Sequence, residues 1–420
     1  MTSSLAAPGQ RRVVTVDEIR ASFPALERRQ HGLPVAYFDG PGGTQVPRVV
    51  ADAITDYLLH HNANTHWRYP SSRETDAMLE AARETLADLL GATATEVAFG
   101  ANMTTLTFHL ARGLGRAWGE GDEIVVTELD HHANIAPWRT LERERGLTLR
   151  VVPIIPETGE LDWESLERIL SGRTRLLAIG AASNALGTIT DVARAVDLAR
   201  TVGAFTFVDA VHYAPHRLVD IRAIDCDFLA CSAYKFYGPH IGVLYGRGDR
   251  LAAVDIPKLE PAPDTAPERV ETGTLNHEGI AGAAAAVNFL ASLLPGTDSR
   301  RDRLRAVYAE LDRRGGALVQ RLLDGLGAVP GVRVFGPRAA SARTPTVAFT
   351  LEDRHPDEVA DALAREAVFA STGDFYASSV VRRYGLASRG GLVRAGCAAY
   401  TTADEVDRLL AGVARLARAG

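Results

Sequence analysis

Lysine is almost missing from this 420-residue chain: of its 46 basic residues, only Lys235 and Lys258 are lysines and all the rest are arginine. Arginine therefore does the ordinary cationic work, and a surviving lysine points to something a guanidinium cannot do. Cysteine is scarce too. Cys226, Cys231 and Cys397 form no Cys-x-x-Cys pair and no even set, which argues against a disulfide framework and against a thiolate zinc site. Long apolar runs are lacking; the most apolar stretch, 280–294, is alanine-rich and too short to span a bilayer, and the first twelve residues hold no apolar core of signal-peptide length. There is no block of like charge. With a formal charge of −6 and acids interspersed among arginines, nothing calls for nucleic acid or an anionic membrane as partner, and a cytoplasmic protein is the expectation. No Gly-x-Gly-x-x-Gly follows an early strand, so a dinucleotide-binding protein is disfavoured.

What is present reads as an ordinary globular composition, 46% hydrophobic and 23% charged, in a chain long enough for a large domain and a smaller one. Helical periodicity runs over 49–61 and 75–90, the second stopped by Gly91. From residue 96 strands and helices alternate. Strands are expected near 96–99, 123–127, 149–154, 175–179, 205–208, 228–231 and 242–245, with helices such as 191–202 between them. Nearly continuous apolar strands in that order predict an α/β fold: a mostly parallel seven-stranded sheet covered on both faces. Composition shifts near 257–267. The helical stretches 279–294 and 301–326 follow, then strands at 332–335, 346–351 and 392–399 and helices at 356–366 and 404–418, which predict a small C-terminal α+β domain. The expected boundaries are an N-terminal arm, 1–35, packing with the small domain, a large domain, 36–290, and the small domain, 291–420.

In such a sheet ligands sit at the carboxyl ends of the strands, so the polar residues just beyond them are the candidates. Lys235 is one, in Asp227-Phe-Leu-Ala-Cys-Ser-Ala-Tyr-Lys-Phe-Tyr-Gly-Pro239. Among apolar and aromatic neighbours an ammonium loses hydration, its pKa falls, and the amine can form a Schiff base; the plain alternative is a snorkelling surface lysine. Asn102-Met-Thr-Thr105 opens a helix after a strand, which suits a phosphate or is simply an N-cap. Ser232 and Tyr234 add hydroxyls, and Asp209 stands at a strand end. A phosphate site, an aldehyde-reactive lysine and a strand-end acid are together what pyridoxal phosphate demands. Two further stretches attract notice: the turn Gly40-Pro-Gly-Gly43, either a close approach to a ligand or a loop, and Asn62-Ala-Asn-Thr-His-Trp-Arg-Tyr-Pro70, rich in binding groups for a connector.

With these motifs in order, the chain over roughly 35–415 resembles a fold-type I pyridoxal phosphate enzyme of the class V aminotransferase family, in its cysteine desulfurase and isopenicillin N epimerase branch. The resemblance implies that Lys235, in Ser-Ala-Tyr-Lys, is the cofactor lysine and that Asp209, in Phe-Val-Asp-Ala-Val-His, pairs with the pyridine nitrogen. It places His131, in Leu-Asp-His-His-Ala-Asn-Ile, over the ring. Asn184 falls near the ring oxygen. His212 replaces the usual glutamine, and Tyr234 replaces a phosphate-binding histidine beside Ser232. Met103 and Thr104 match the phosphate loop, and Thr274, in Glu-Thr-Gly-Thr-Leu-Asn, the threonine that reaches the phosphate from the partner subunit of a homodimer. Arg394, in Leu-Val-Arg-Ala-Gly-Cys, matches the arginine that grips the substrate carboxylate, for which a planar fork is suited. Tyr376, Trp67, Asn64, His66 and Arg68 are expected around the substrate side chain.

One departure matters. Where a desulfurase of this branch carries its nucleophilic cysteine, this chain reads Ser371-Thr-Gly-Asp-Phe-Tyr376. Strand alternation turns Cys397 away from Arg394 and Cys231 away from Ser232 and Tyr234, so the cysteines read as small buried hydrophobes. No metal is expected: His212 and His216 are four apart but separated by Pro215, and the pairs His60-His61 and His131-His132 splay. The expected function is Cα deprotonation of an amino acid followed by C–S β-elimination from cysteine or an S-substituted cysteine. Epimerisation, decarboxylation coupled to oxidation, and transamination are alternatives, and a scaffold without turnover is the alternative of another class.

Overall fold

The computed structural model describes residues 12–418, so the first eleven residues of the expected arm lie outside it. Seven strands form the large sheet: β1 Val97–Gly100, β2 Glu123–Thr127, β3 Thr148–Val152, β4 Thr174–Gly180, β5 Phe205–Asp209, β6 Phe228–Ser232 and β7 Gly242–Gly246. Their order is β1-β7-β6-β5-β4-β2-β3, and β7 alone runs antiparallel to its two neighbours. Consecutive residues bury on opposite faces. Val125, Leu177 and Val208 enter one core while Ile124, Leu176 and Phe207 enter the other, which is why these strands read as unbroken apolar runs.

The predicted strand 149–154 ends at Val152, because Pro153 has no N–H to give the ladder; Ile154–Ile155 instead pairs with Glu160–Leu161. The helix expected from residue 75 begins at Pro70, whose fixed φ suits a first helical position, and runs to Leu90. The helix expected over 49–61 is α-helical over Arg48–Asp56 and closes in a π turn, Tyr57–His61.

The small C-terminal domain is a four-stranded antiparallel sheet, β8 Val332–Phe335, β9 Thr346–Leu351, β10 Ser371–Gly373 and β11 Leu392–Gly396, in the order β8-β9-β11-β10. Three-residue β10 was not legible as a strand. From the expected arm, Arg20 reaches the Tyr400 carbonyl and Glu405, and just past it Ala36–Tyr37 pairs with Val368–Phe369. Arg343 locks the domains together. Fully buried, it has no carboxylate partner among the described residues and donates to the carbonyls of Pro337, Phe335 and Thr346 in the small domain and of Leu186 in the large one. Among the described residues no helix is long and apolar enough to cross a membrane.

Candidate active site

The carboxyl ends of β2, β4, β5 and β6 open on one cavity of about 540 Å³, and every expected cofactor residue except Thr274 lines it. Lys235 closes the short turn Ala233–Lys235 after β6 and is only 9% exposed. Its ammonium donates to the Pro41 carbonyl and lies 4.9 Å from the centre of the Tyr234 ring. Burial, helped by Arg394, draws its pKa from 10.5 to about 7, against the pull of Asp209 and Asp39. Near neutral pH a large share of it is thus a free amine. Asp209, the last residue of β5, accepts from the Val211 N–H at 2.8 Å, and burial raises its carboxyl to about 6.

Asn102 caps the helix Met103–Gly115 through Thr105 N, and Ser232 Oγ accepts from Met103 N at 3.0 Å. Thr104 keeps the first-turn N–H without a protein partner among the described residues, a ready donor for an anion. Asp130 holds the turn after β2. It accepts from Thr127 Oγ1 (2.7 Å), Thr127 N (3.1 Å) and Asn134 Nδ2 (3.0 Å), and so presents His131, whose Nδ1 accepts from Ala133 N at 3.0 Å. Burial, with Lys235 adding to it, lowers His131 to about 4, so the ring is neutral. His212 contacts Thr344 Oγ1 (3.0 Å) and Thr346 Oγ1 (3.2 Å) of the small domain through Nε2. Its Nδ1 and Asn184 Oδ1 are buried without a protein partner. Unsatisfied buried polar atoms on a cavity wall are costly unless a ligand meets them. These unmet polar atoms, with an amine, an acid and a helix end, fit pyridoxal phosphate.

A second cavity, about 610 Å³, adjoins the first at Lys235, His131 and Asn184 and holds Arg394 and Tyr376. Arg394, on β11 and 4% exposed, donates to the Asn184 carbonyl at 2.9 Å and lies 4.0 Å from the Phe375 ring centre. Burial lowers its pKa to about 10, with Asp39 opposing.

Some expectations are corrected. Asn64, His66 and Arg68 are exposed and line neither cavity; His66 N bonds to Asp76 and Trp67 N to Ser72, which turns the loop onto its own following helix. Thr274, expected to serve a partner subunit's site rather than its own, is exposed on this chain. His212 and His216 do meet, ring centres 5.2 Å apart, through a turn rather than a helix; among the described residues no three metal-ligating side chains gather. Sequence reasoning missed His240, whose ring stacks on Tyr234 at 4.9 Å, and Phe375. For His240 proximity to Lys235 was the available signal. All three cysteines are buried thiols, and burial raises each pKa, Cys231 to about 12. Cys397 joins Val393 and Ala395 in the small-domain core, on the side of β11 away from Arg394.

The aminotransferase class-V family model matches residues 36–409. A cysteine desulfurase of Dickeya dadantii is 36% identical, with 96% of this chain and 97% of that protein covered, and one of Pectobacterium carotovorum is 34% identical, with 96% and 98% covered. Among solved structures, a cysteine desulfurase from Thermococcus onnurineus superposes with a TM-score of 0.86 at 28% identity, covering 100% of both chains. One from Escherichia coli gives 0.83 at 29%, covering 96% of this chain and 98% of that one. Together with a cavity that meets each demand of the cofactor, these likenesses place the chain in the class V aminotransferase family of pyridoxal phosphate-dependent enzymes.

Proposed function

We propose that the chain is a C–S β-lyase acting on cysteine or an S-substituted cysteine. The relatives are named cysteine desulfurases, but the observation that carries this reading is that no thiol faces either cavity. The segment over the site, strand β10 and the turn that follows it to Tyr376, holds no cysteine, and Cys397 is buried beside other side chains of the small domain. Arg394 binds the substrate carboxylate through two parallel N–H bonds, its plane set by Asn184 and Phe375. When bound, pyridoxal phosphate supplies the aldehyde that holds the amino group and the electron sink for Cα deprotonation. Asp209 would hold the ring nitrogen through its negative charge. Lys235, freed from the Pro41 carbonyl, takes the Cα proton at Nζ, and neutral His131 on the wall beside it adds no charge that would repel a cation. Sulfur leaves with the Cβ–S electron pair and takes a proton, and water converts the three-carbon remainder to pyruvate and ammonia. With no thiolate placed to attack sulfur, the alternative of protein-bound persulfide and alanine lacks its nucleophile.

Replacing Cys226, Cys231 and Cys397 together by alanine should leave turnover within about two- to three-fold, with stability lower by about 1–3 kcal/mol from lost packing. The assay should yield thiol or sulfide with pyruvate and ammonia. Alanine with persulfide on Cys397, abolished in the single Cys397→Ala variant, would refute the lyase.

The homodimer is part of this proposal. Thr274 is exposed at a left-handed glycine turn, Gly273, and Leu58, Leu59, Trp67 and Tyr69 leave apolar surface uncovered. Each site should borrow Thr274 from the other subunit. Mixing Lys235→Ala with Thr274→Ala chains should then recover activity through hybrid dimers, whereas a fully active monomer at high dilution excludes the shared site.

A further inference from the structure

The segment that stands in place of a reactive-cysteine loop has an uncommon backbone. Phe375 and Tyr376 are consecutive non-glycine residues at positive φ, +53° and +55°. Side chains with a Cβ adopt that region only where the surroundings hold them. Here four hydrogen bonds do so. Within the loop, Asp374 Oδ1 accepts from Tyr376 N at 3.0 Å and the Asp374 carbonyl from Ala377 N at 2.7 Å. Across the domain boundary, the Phe375 carbonyl accepts from Asn184 Nδ2 at 2.8 Å and the Tyr376 carbonyl from His132 N at 2.7 Å.

The kink has a steric result. In an extended strand two successive side chains point to opposite faces, yet both of these rings line the outer cavity. Phe375 lies against the Arg394 guanidinium, 4.0 Å from ring centre to Cζ, which holds that fork flat for a carboxylate. Tyr376, 73% exposed, stands at the mouth with its ring 5.5 Å from that of His131.

We infer that Phe375 and Tyr376 are specificity-determining residues, and that the substrate is an α-amino acid with a bulky, uncharged, apolar or aromatic side chain, such as an aryl or alkyl thioether of cysteine. The outer cavity continues past the residues it shares with the first one to His132, Ala136, Phe375 and Tyr376, which gives a side chain longer than CH₂SH a wall to meet. Beyond Arg394 and the residues it shares with the first cavity, its wall is Phe375, Tyr376, His132, Ala136, Pro41 and Gly42. Both of its cations, Lys235 and Arg394, are already engaged, and no carboxylate lines it. Burial lowers the proton affinity of His132, leaving a neutral ring; Arg139, Arg382 and Asp374, the charges it feels, are not on the wall. A wall of rings and methyl groups rewards apolar area and leaves a second charge unpaired. The inference rests on reading this cavity as the amino-acid site, not on which bond then breaks.

The test uses the holoenzyme and four ligands: L-cysteine, S-methyl-L-cysteine, S-benzyl-L-cysteine and S-carboxymethyl-L-cysteine. Binding is followed by calorimetry and by the change in the cofactor's visible absorbance, and pyruvate release is assayed separately. S-Benzyl-L-cysteine should bind at least about ten-fold tighter than cysteine, and the S-carboxymethyl compound weakest. Phe375→Ala and Tyr376→Ala should each bring the benzyl-to-cysteine ratio towards one and raise KM more than they lower kcat, while Phe375→Tyr and Tyr376→Phe should keep it. Tyr376→Gly, free of the backbone constraint, should melt no lower than the parent and still lose the preference. Preference for cysteine or the S-carboxymethyl compound, or a ratio unchanged in the alanine and glycine variants, overturns the inference. Tight S-benzyl binding with no pyruvate from any of the four ligands supports it while refuting the lyase.

Discussion

Lys235→Ala should lose the visible absorbance of lysine-bound cofactor and reduce turnover by about 10²–10⁴-fold, the range for removing a positioned proton-transfer group. Lys235→Arg should not restore either, because a guanidinium cannot give up its proton to attack an aldehyde. The control is built into the sequence. Lys258, the other lysine, pairs with Asp264 at 3.1 Å and with the Ala262 carbonyl at 2.8 Å, so Lys258→Ala should leave both readouts unchanged. A reversed outcome would dismiss the assignment. The amine's pKa near 7 adds a pH signature. Falling pH protonates Lys235 and removes the form that reacts. Cofactor capture by the cofactor-free protein should therefore be roughly ten-fold slower at pH 6 than at pH 8 and level off above it. A lysine near its ordinary value would instead gain about ten-fold for every pH unit through pH 9, and that slope would show that burial does not tune this group.

What the sequence disclosed and what it hid divide along physical lines. Lys235, Asp209, His131 and the Asn102–Thr105 segment each follow a strand of a parallel sheet, and parallel strands bring their carboxyl ends to one edge whatever the loop details. Reading seven strands in order therefore collected the cofactor wall, though the strands lie far apart in the chain. The small-domain side is different. Phe375 reaches Arg394 only because two residues without the usual glycine take left-handed backbone, and nothing in Gly-Asp-Phe-Tyr signals that. Asp39, half-buried beside Arg394 and Lys235, owes its place to the chain's return from the arm onto Gly396. Asn64, His66 and Arg68 are the converse case: polar and aromatic composition singled out the stretch without showing that it folds back onto the helix after it. Alternation along β11, by contrast, was enough to turn Cys397 from Arg394, since a strand's period of two survives any tertiary context.

Asp209→Asn should separate stability from function more sharply than any other substitution here. Turnover should fall by about 10²–10³-fold, because an amide keeps the shape of the side chain but supplies no negative charge against the ring nitrogen where the reaction develops its charge. Some cofactor should remain, held by Lys235 and the helix end at Thr104. The cofactor-free variant, however, should be more stable than the parent at pH 8. Burial raises the folded-state pKa of Asp209 from 3.8 to about 6, so the native protein prefers the protonated acid and ionisation works against folding. Below the unfolded value both states are protonated and the group costs nothing. The penalty grows between about pH 4 and pH 6 and is complete above that, on the order of 2–3 kcal/mol. Melting of the two cofactor-free proteins should accordingly coincide near pH 4 and diverge in favour of the variant by pH 8. Adding pyridoxal phosphate should narrow the gap, since the cation it brings is what the buried carboxylate lacks. Equal melting at both pH values would mean the acid is not desolvated as its position implies, and undiminished turnover by the variant would remove Asp209 from the chemistry altogether.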